Sequence, residues 1–204
     1  MKKKIAILGS TGSIGRSTLE VIKKDKKNFD VILLTANNNY KKLIQQAKEF
    51  SVKNVFIKNK NFYERTKRGL RNNKTKVYSG DISITNIISK KLDYTMAAIV
   101  GVAGLQPTID AIKISKTVAL ANKESIICGW EILSKLIKKY KTKILPVDSE
   151  HFSIMELTKD IRDEEVEEII ITASGGPFLN LPQHRLNHVT PKQAINHPNW
   201  KMGK

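Results

Sequence analysis

Three groups of residues have types and spacings that can do chemistry. The first is Gly9-Ser10-Thr11-Gly12-Ser13-Ile14-Gly15, which follows the apolar run KIAIL and precedes an amphipathic stretch. A glycine-rich turn between a strand and a helix lets the backbone approach an anion and aims N–H groups at a pyrophosphate. The spacing is G-x-x-G-x-x-G rather than G-x-G-x-x-G, so the place after the first strand carries the assignment; a purely structural tight turn is the alternative. The second group is Thr35-Ala36-Asn37-Asn38-Asn39, followed by Lys41 and Lys42, at the end of the second apolar run. An enzyme using NAD usually places Asp or Glu there for the ribose hydroxyls. Without that carboxylate nothing repels a 2'-phosphate, so NADPH is favoured over NADH. The third group is Asp148 and Glu150 in LPVDSEH. Two hard oxygen ligands at a strand's carboxyl end suit Mg²⁺ or Mn²⁺ polarising a carbonyl and a neighbouring hydroxyl. Taken alone, D-x-E is more often a solvated loop than a metal site.

The elements that must position these groups follow from hydrophobic periodicity. Short apolar runs at KIAIL, DVILLT, VKNVFI, KTKVYS, MAAIV, TVALA and KILPV alternate with amphipathic stretches at Ser13–Lys24, Tyr40–Phe50, Leu105–Ile114 and Lys123–Lys139. That alternation predicts an α/β fold, a Rossmann-like doubly wound parallel sheet covered by helices. In the last helix, Ile126, Ile127, Trp130, Leu133, Leu136 and Ile137 form an apolar stripe that reads as core. Near Pro146 the rhythm changes to a helix at about 149–159, an acidic run from Asp163 to Glu168 and a strand EEIIITAS. The expected division is a dinucleotide-binding domain over 1–147 and the truncated start of an α+β catalytic domain over 148–204.

Composition bounds the function classes. With 36 Lys+Arg against 19 Asp+Glu the net charge is +17, which would favour anionic partners. The lysines are scattered on polar helix faces, and aromatics make up only 6% and do not interleave with the basic runs, so no nucleic acid is expected as a partner. The single cysteine, Cys128, predicts no intrachain disulfide, and MKKKIAILGS has too short an apolar run for a signal peptide. A cytoplasmic setting with no membrane contact is expected.

Four further segments, AAIVGVAGLQPT (97–108), LANKES (120–125), TASGGPF (172–178) and HPNWKMG (197–203), accompany LGSTGSIG and LPVDSEH. In this order and spacing the chain resembles 1-deoxy-D-xylulose 5-phosphate reductoisomerases along its whole length. LPVDSEH and HPNW are specific to that family; the glycine loop alone is not. The resemblance implies an oxidoreductase and isomerase of isoprenoid biosynthesis. It converts the sugar phosphate 1-deoxy-D-xylulose 5-phosphate to 2-C-methyl-D-erythritol 4-phosphate by metal-assisted carbon–carbon rearrangement and hydride transfer from NADPH. It further implies that Asn122, Glu124 and Gly203 contact NADPH, that Lys123, Ser149, Glu150 and Ser174 bind substrate, and that Asp148, Glu150 and Lys123 serve catalysis. Asp148 and Glu150 would hold the metal. His197 and Trp200 would belong to a lid over the substrate, and full-length members are typically homodimers.

The chain departs from the family pattern at two places. Asn37 and Asn38 stand where many members have Gly and a basic residue. Family members also continue past the lid with a serine, an asparagine, a lysine and a third carboxylate, then a helical domain. The chain is therefore expected to be an N-terminal fragment with cofactor binding largely intact and turnover impaired or lost. A catalytically inactive dinucleotide-binding or redox-sensing protein is the alternative. His151, His184 and His188 have no chemical context in the sequence.

Overall fold

A computed structural model describes residues 2–172, 175–196 and 198. The chain divides into two compact units, Met1–Ser153 and Ile154–Lys204.

In the first unit seven parallel strands form one sheet: β1 (Lys3–Leu8), β2 (Phe29–Ala36), β3 (Asn54–Ile57), β4 (Lys76–Ser79), β5 (Leu92–Ala97), β6 (Ser115–Leu120) and β7 (Lys143–Pro146). Their order is β4-β3-β2-β1-β5-β6-β7, so the chain reverses direction across the sheet between β1 and β5. The helices are α1 (Ser13–Lys24), α2 (Tyr40–Glu49), α3 (Tyr63–Leu70), α4 (Leu105–Ile114) and α5 (Lys123–Tyr140), and α6 (Ser149–Thr158) begins in this unit and ends in the second. The doubly wound parallel sheet read from the sequence is present, and α3 adds a helix that the main apolar runs do not mark.

Period-two alternation sorts β1 between two cores. Ile5 and Ile7 join Leu19, Ile22, Leu43 and Leu70 from α1, α2 and α3, whereas Ala6 and Leu8 join Ala111, Ile112 and Leu133 from α4 and α5. Because both faces of the central strands are covered, those strands read as continuous apolar runs. In β2 the alternation slips: Ile5 pairs with Val31 but Ala6 with Leu33, so Ile32 and Leu33 both turn toward the α4–α5 side.

Three expectations need correction. Residues 98–100 of MAAIV leave the sheet, because the chain turns after Ala97 to pass over Gly9, and Val100 is 83% exposed. In α5, Ile127 and Trp130 are exposed while Ile126, Leu133, Leu136 and Ile137 pack on the core. The buried line runs through Gly129, where an added Cβ would meet the Leu105 side chain, and Ile127 and Trp130 fall about 100° to 200° of helix rotation away from it. The described residues 167–172 of EEIIITAS form no strand, and Ile169, Ile170 and Ile171 are exposed. High β propensity without a ladder partner does not make a strand.

At the N-terminal edge of the sheet Asp93 joins three strands, accepting from Lys4 N–H at 2.9 Å and pairing with Lys116 Nζ at 2.8 Å. The Lys116 hydrogen bond, then the Lys4 N–H, hold its carboxyl below the ordinary value. A carboxyl depressed in the fold contributes stability above its unfolded value, and that contribution fades as the pH falls through the folded one. Asp93→Asn is expected to cost about 1 kcal/mol at pH 7. Urea titrations should show the difference closing as the pH drops below the ordinary aspartate value of 3.8; a gap that widens in acid would be inconsistent with this pairing.

The second unit includes a 3-10 turn at Asp163–Glu165, two more at Gly176–Phe178 and Gln183–His188, and helix α7 (Pro191–Ala194). Thr190 and Gln193 cap α7 reciprocally, and no described residue of this unit is buried.

Candidate functional site

The glycine loop lies where β1 hands over to α1, beside the reversal of sheet order, the place where an open α/β sheet offers a crevice. Gly9 has φ +83°, a left-handed conformation that favours glycine, and a Cβ there would stand 2.8 Å from the Ala98 carbonyl oxygen. At Gly15 a Cβ would stand 2.6 Å from Ser10 Cα, so α1 presses its first turn directly onto the loop. The loop is fastened from below. Thr35 Oγ1 accepts from Gly9 N–H at 2.9 Å, and the Thr35 carbonyl accepts from Ser10 N–H at 2.9 Å. Gln46 on α2 accepts from Ser10 Oγ at 2.8 Å and donates to the Ser10 carbonyl at 2.9 Å. Sequence reasoning missed Ser10 and Gln46 as supports, although a glutamine between Leu43 and Ala47 on the buried side of α2 was a legible signal.

Above these supports the loop offers donors. Gly12 is the N-cap of α1 with no side-chain cap bond, and the first turn carries no acidic residue. The N–H groups of Ser13, Ile14 and Gly15 therefore lack intrahelical acceptors and sit at the positive end of the helix dipole. Gly12, Ser13 and Ile14 are exposed, Thr11 is half-buried, and an anion can reach them.

At the end of β2, Asn37, Asn38 and Asn39 are exposed. Asn39 caps α2 by accepting from Lys42 N–H at 3.1 Å, and Asn38 Oδ1 accepts from Asn59 Nδ2 at 2.9 Å. None of residues 35–39 is a carboxylate.

The opposite wall is the segment after β5. Ala98 N–H donates to the Leu8 carbonyl at 2.9 Å, which keeps this segment against the glycine loop. Asn122, 1% exposed, holds it in place: its Nδ2 donates to the carbonyls of Ile99 and Gly101, the latter at 2.9 Å. Its Oδ1 meanwhile accepts from Ser125 N–H at 3.0 Å and caps α5. The side chain is thus committed to the fold on both ends. Lys123, exposed, and Glu124, half-buried, occupy the first turn of α5.

At the end of β7, Val147 N–H donates to the Leu120 carbonyl at 3.1 Å, which sets Asp148 beside the end of β6. Asp148 precedes α6, accepting from His151 N–H at 3.0 Å and touching His151 Nδ1 at 2.6 Å. Burial pushes its carboxyl up, but the His151 N–H and ring outweigh it and hold the group below its ordinary value. His151, without context in the sequence, is therefore the immediate partner of Asp148. Asp148 Oδ1 is taken, leaving Oδ2, while Glu150 is exposed and accepts from Ser149 Oγ at 3.2 Å. Among the described residues no cluster of three His, Cys, Asp or Glu side chains could hold a metal. The donor chemistry still fits a hard divalent ion, since Mg²⁺ keeps several waters and is commonly held by one or two carboxylates plus substrate oxygens. Ser174, His197, Trp200 and Gly203 lie outside the described residues.

Residues 5–129 match the 1-deoxy-D-xylulose 5-phosphate reductoisomerase family, and residues 144–204 match the 1-deoxy-D-xylulose 5-phosphate reductoisomerase C-terminal domain. A relative of that name from Pelagibacter ubique is 54% identical over 204 residues, covering 99% of this chain and 53% of its own length. One from Wolbachia pipientis is 44% identical, covering 99% and 52%. The structure of the Zymomonas mobilis enzyme in complex with NADPH superposes with a TM-score of 0.91 at 39% identity, over 97% of this chain and 52% of that one. A crystal structure of DOX-P reductoisomerase with NADPH, fosmidomycin and magnesium gives 0.84 at 33% identity, over 98% and 52%. The chain spans about half the length of the curated relatives it matches.

Proposed function

The chain belongs to the 1-deoxy-D-xylulose 5-phosphate reductoisomerase family, and on that premise we propose that it carries the NADPH-binding part of this activity. The reaction is reductive isomerisation of 1-deoxy-D-xylulose 5-phosphate to 2-C-methyl-D-erythritol 4-phosphate. The observation that carries this is the uncapped, acid-free start of α1 set on the fastened glycine loop at the sheet's reversal point. Thr11 to Gly15 would bind the pyrophosphate, Gly9 would let the loop pass under Ala98, and Asn37 to Asn39 would face the 2'-phosphate end. Asn122 would serve the cofactor by positioning residues 99–101, with Glu124 at its nicotinamide half.

By the family resemblance Lys123, Ser149, Glu150 and Ser174 would bind the substrate, His197 and Trp200 would belong to its lid, and Gly203 would contact the cofactor. Asp148 and Glu150 would hold Mg²⁺ or Mn²⁺, which when bound polarises substrate oxygens. His151 orients the Asp148 carboxylate for that task. The functional division falls at 147/148, the full-length form is a homodimer, and the setting is cytoplasmic. Among the described residues no helix is long and apolar enough to cross a membrane.

The test is an NADPH titration beside an assay of NADPH oxidation with 1-deoxy-D-xylulose 5-phosphate and Mn²⁺. Saturable NADPH binding with weak or absent turnover is expected. A folded chain that fails to bind NADPH would sink the proposal.

A further inference from the structure

The tips of β2 and β3 are joined beyond the end of the strands. Lys58 N–H donates to the Ala36 carbonyl at 2.9 Å and Asn59 N–H to the Asn37 carbonyl at 3.2 Å. Asn59 Nδ2 adds its bond to Asn38 Oδ1 at 2.9 Å. Lys58, Asn59 and Lys60 therefore start from the same ledge as Asn37 and Asn38. The two lysines share one counter-ion on the loop after β4: Asp81 Oδ1 lies 2.8 Å from Lys58 Nζ and Asp81 Oδ2 3.3 Å from Lys60 Nζ. Lys58 Nζ also donates to the Gly80 carbonyl at 3.2 Å. One carboxylate facing two ammonium groups leaves positive charge uncompensated, on lysine side chains 57% and 71% exposed. The hydrogen bonds from Lys58 and then Lys60 hold the Asp81 carboxyl below its ordinary value.

We infer that Lys58 and Lys60, with Asn38 and Asn59, receive the 2'-phosphate of NADPH, so that cofactor choice is set at the tip of β3. The inference rests on the glycine loop being the dinucleotide seat. A phosphate monoester carries nearly two negative charges at neutral pH and recruits ammonium groups strongly. Lysine stems are long and flexible, so both groups can turn from Asp81 to a phosphate on the adjoining ledge. Asp81 holds the cations near the tip when no phosphate is there. Lys42 of α2 is less suited: its Nζ is directed along its own helix to Gln45 Oε1 at 3.2 Å. The asparagine tip of β2 thus supplies neutral donors and acceptors, and its neighbour supplies the charge.

NADPH and NADH are titrated separately into the wild-type chain, Lys58→Ala/Lys60→Ala, Lys41→Ala/Lys42→Ala and Asp81→Asn, with circular dichroism to verify folding. The wild type should prefer NADPH. The β3-tip pair should lose NADPH affinity by about tenfold to hundredfold while NADH stays within about twofold. The α2 pair should change neither by more than about threefold, and Asp81→Asn, which removes the competing carboxylate, should tighten NADPH alone. Equal losses for both dinucleotides in the β3-tip pair, or NADPH loss confined to the α2 pair, would overturn the inference. A wild type that binds NADH but gains nothing from the 2'-phosphate overturns it while leaving the glycine-loop seat standing; a wild type that binds neither removes the seat as well.

Discussion

Gly15→Val is expected to lower NADPH affinity by about a hundredfold or more, the largest binding effect of any single change in the loop. The side chain would need space already held by Ser10 Cα at 2.6 Å and Ser10 C at 2.8 Å. Ser10 cannot retreat, because Thr35 holds its N–H and Gln46 holds both its hydroxyl and its carbonyl. The helix must therefore lift from the loop, and the N–H groups of Ser13 and Ile14 lose their common aim. Preorganised donors bind an anion because their orientation costs nothing at the moment of binding, and a small displacement removes that advantage. Gly12→Ala supplies the contrast: its Cβ would meet only the Gly9 carbonyl oxygen at 3.4 Å, an ordinary contact, so the loop keeps its shape. Fluorescence titration with NADPH, beside thermal melts of both variants, checks this. If Gly15→Val bound NADPH within about threefold of wild type at an unchanged melting temperature, the loop would not be the pyrophosphate seat.

The alternation of apolar runs with amphipathic stretches was enough to read the parallel doubly wound sheet, since strands buried on both faces must be apolar throughout. The apolar run before the glycines and the amphipathic stretch after them likewise placed the loop between β1 and α1. Other features depend on contacts that no local pattern carries. The buried line of α5 is displaced because Leu105, from a distant part of the chain, packs against Gly129, leaving Trp130 outside. Ile169 to Ile171 look like a strand because β-branched runs favour pleated surfaces, yet a strand exists only with a partner. His151 joins Asp148 because a helix N-cap receives the N–H three residues on, which brings the ring back to the carboxylate. The β3 tip, with Lys58 and Lys60, becomes part of the candidate site only once β2 and β3 lie side by side.

Asn122→Ala is expected to destabilise the first unit by about 2–4 kcal/mol, because three separate bonds depend on one buried amide. Its Oδ1 caps α5 through Ser125 N–H, and its Nδ2 holds the Ile99 and Gly101 carbonyls. Removing it leaves the carbonyls of half-buried Ile99 and Gly101 and the buried Ser125 N–H without that partner. Two further variants separate the roles. Asn122→Ser can still cap the helix but cannot span to Ile99, so it should recover about 1 kcal/mol of the loss and leave the 98–104 segment loose. Asn122→Asp keeps the cap while turning an oxygen toward two carbonyl oxygens, so it should be nearly as unstable as the alanine at pH 7. Urea unfolding reports the first effect and NADPH titration the second. If the serine variant restored stability without restoring NADPH affinity, the segment after β5 would be identified as a wall of the cofactor crevice that Asn122 positions from behind. If all three variants bound NADPH like the wild type, Asn122 would matter to the fold alone and the cofactor would lie clear of residues 99–101.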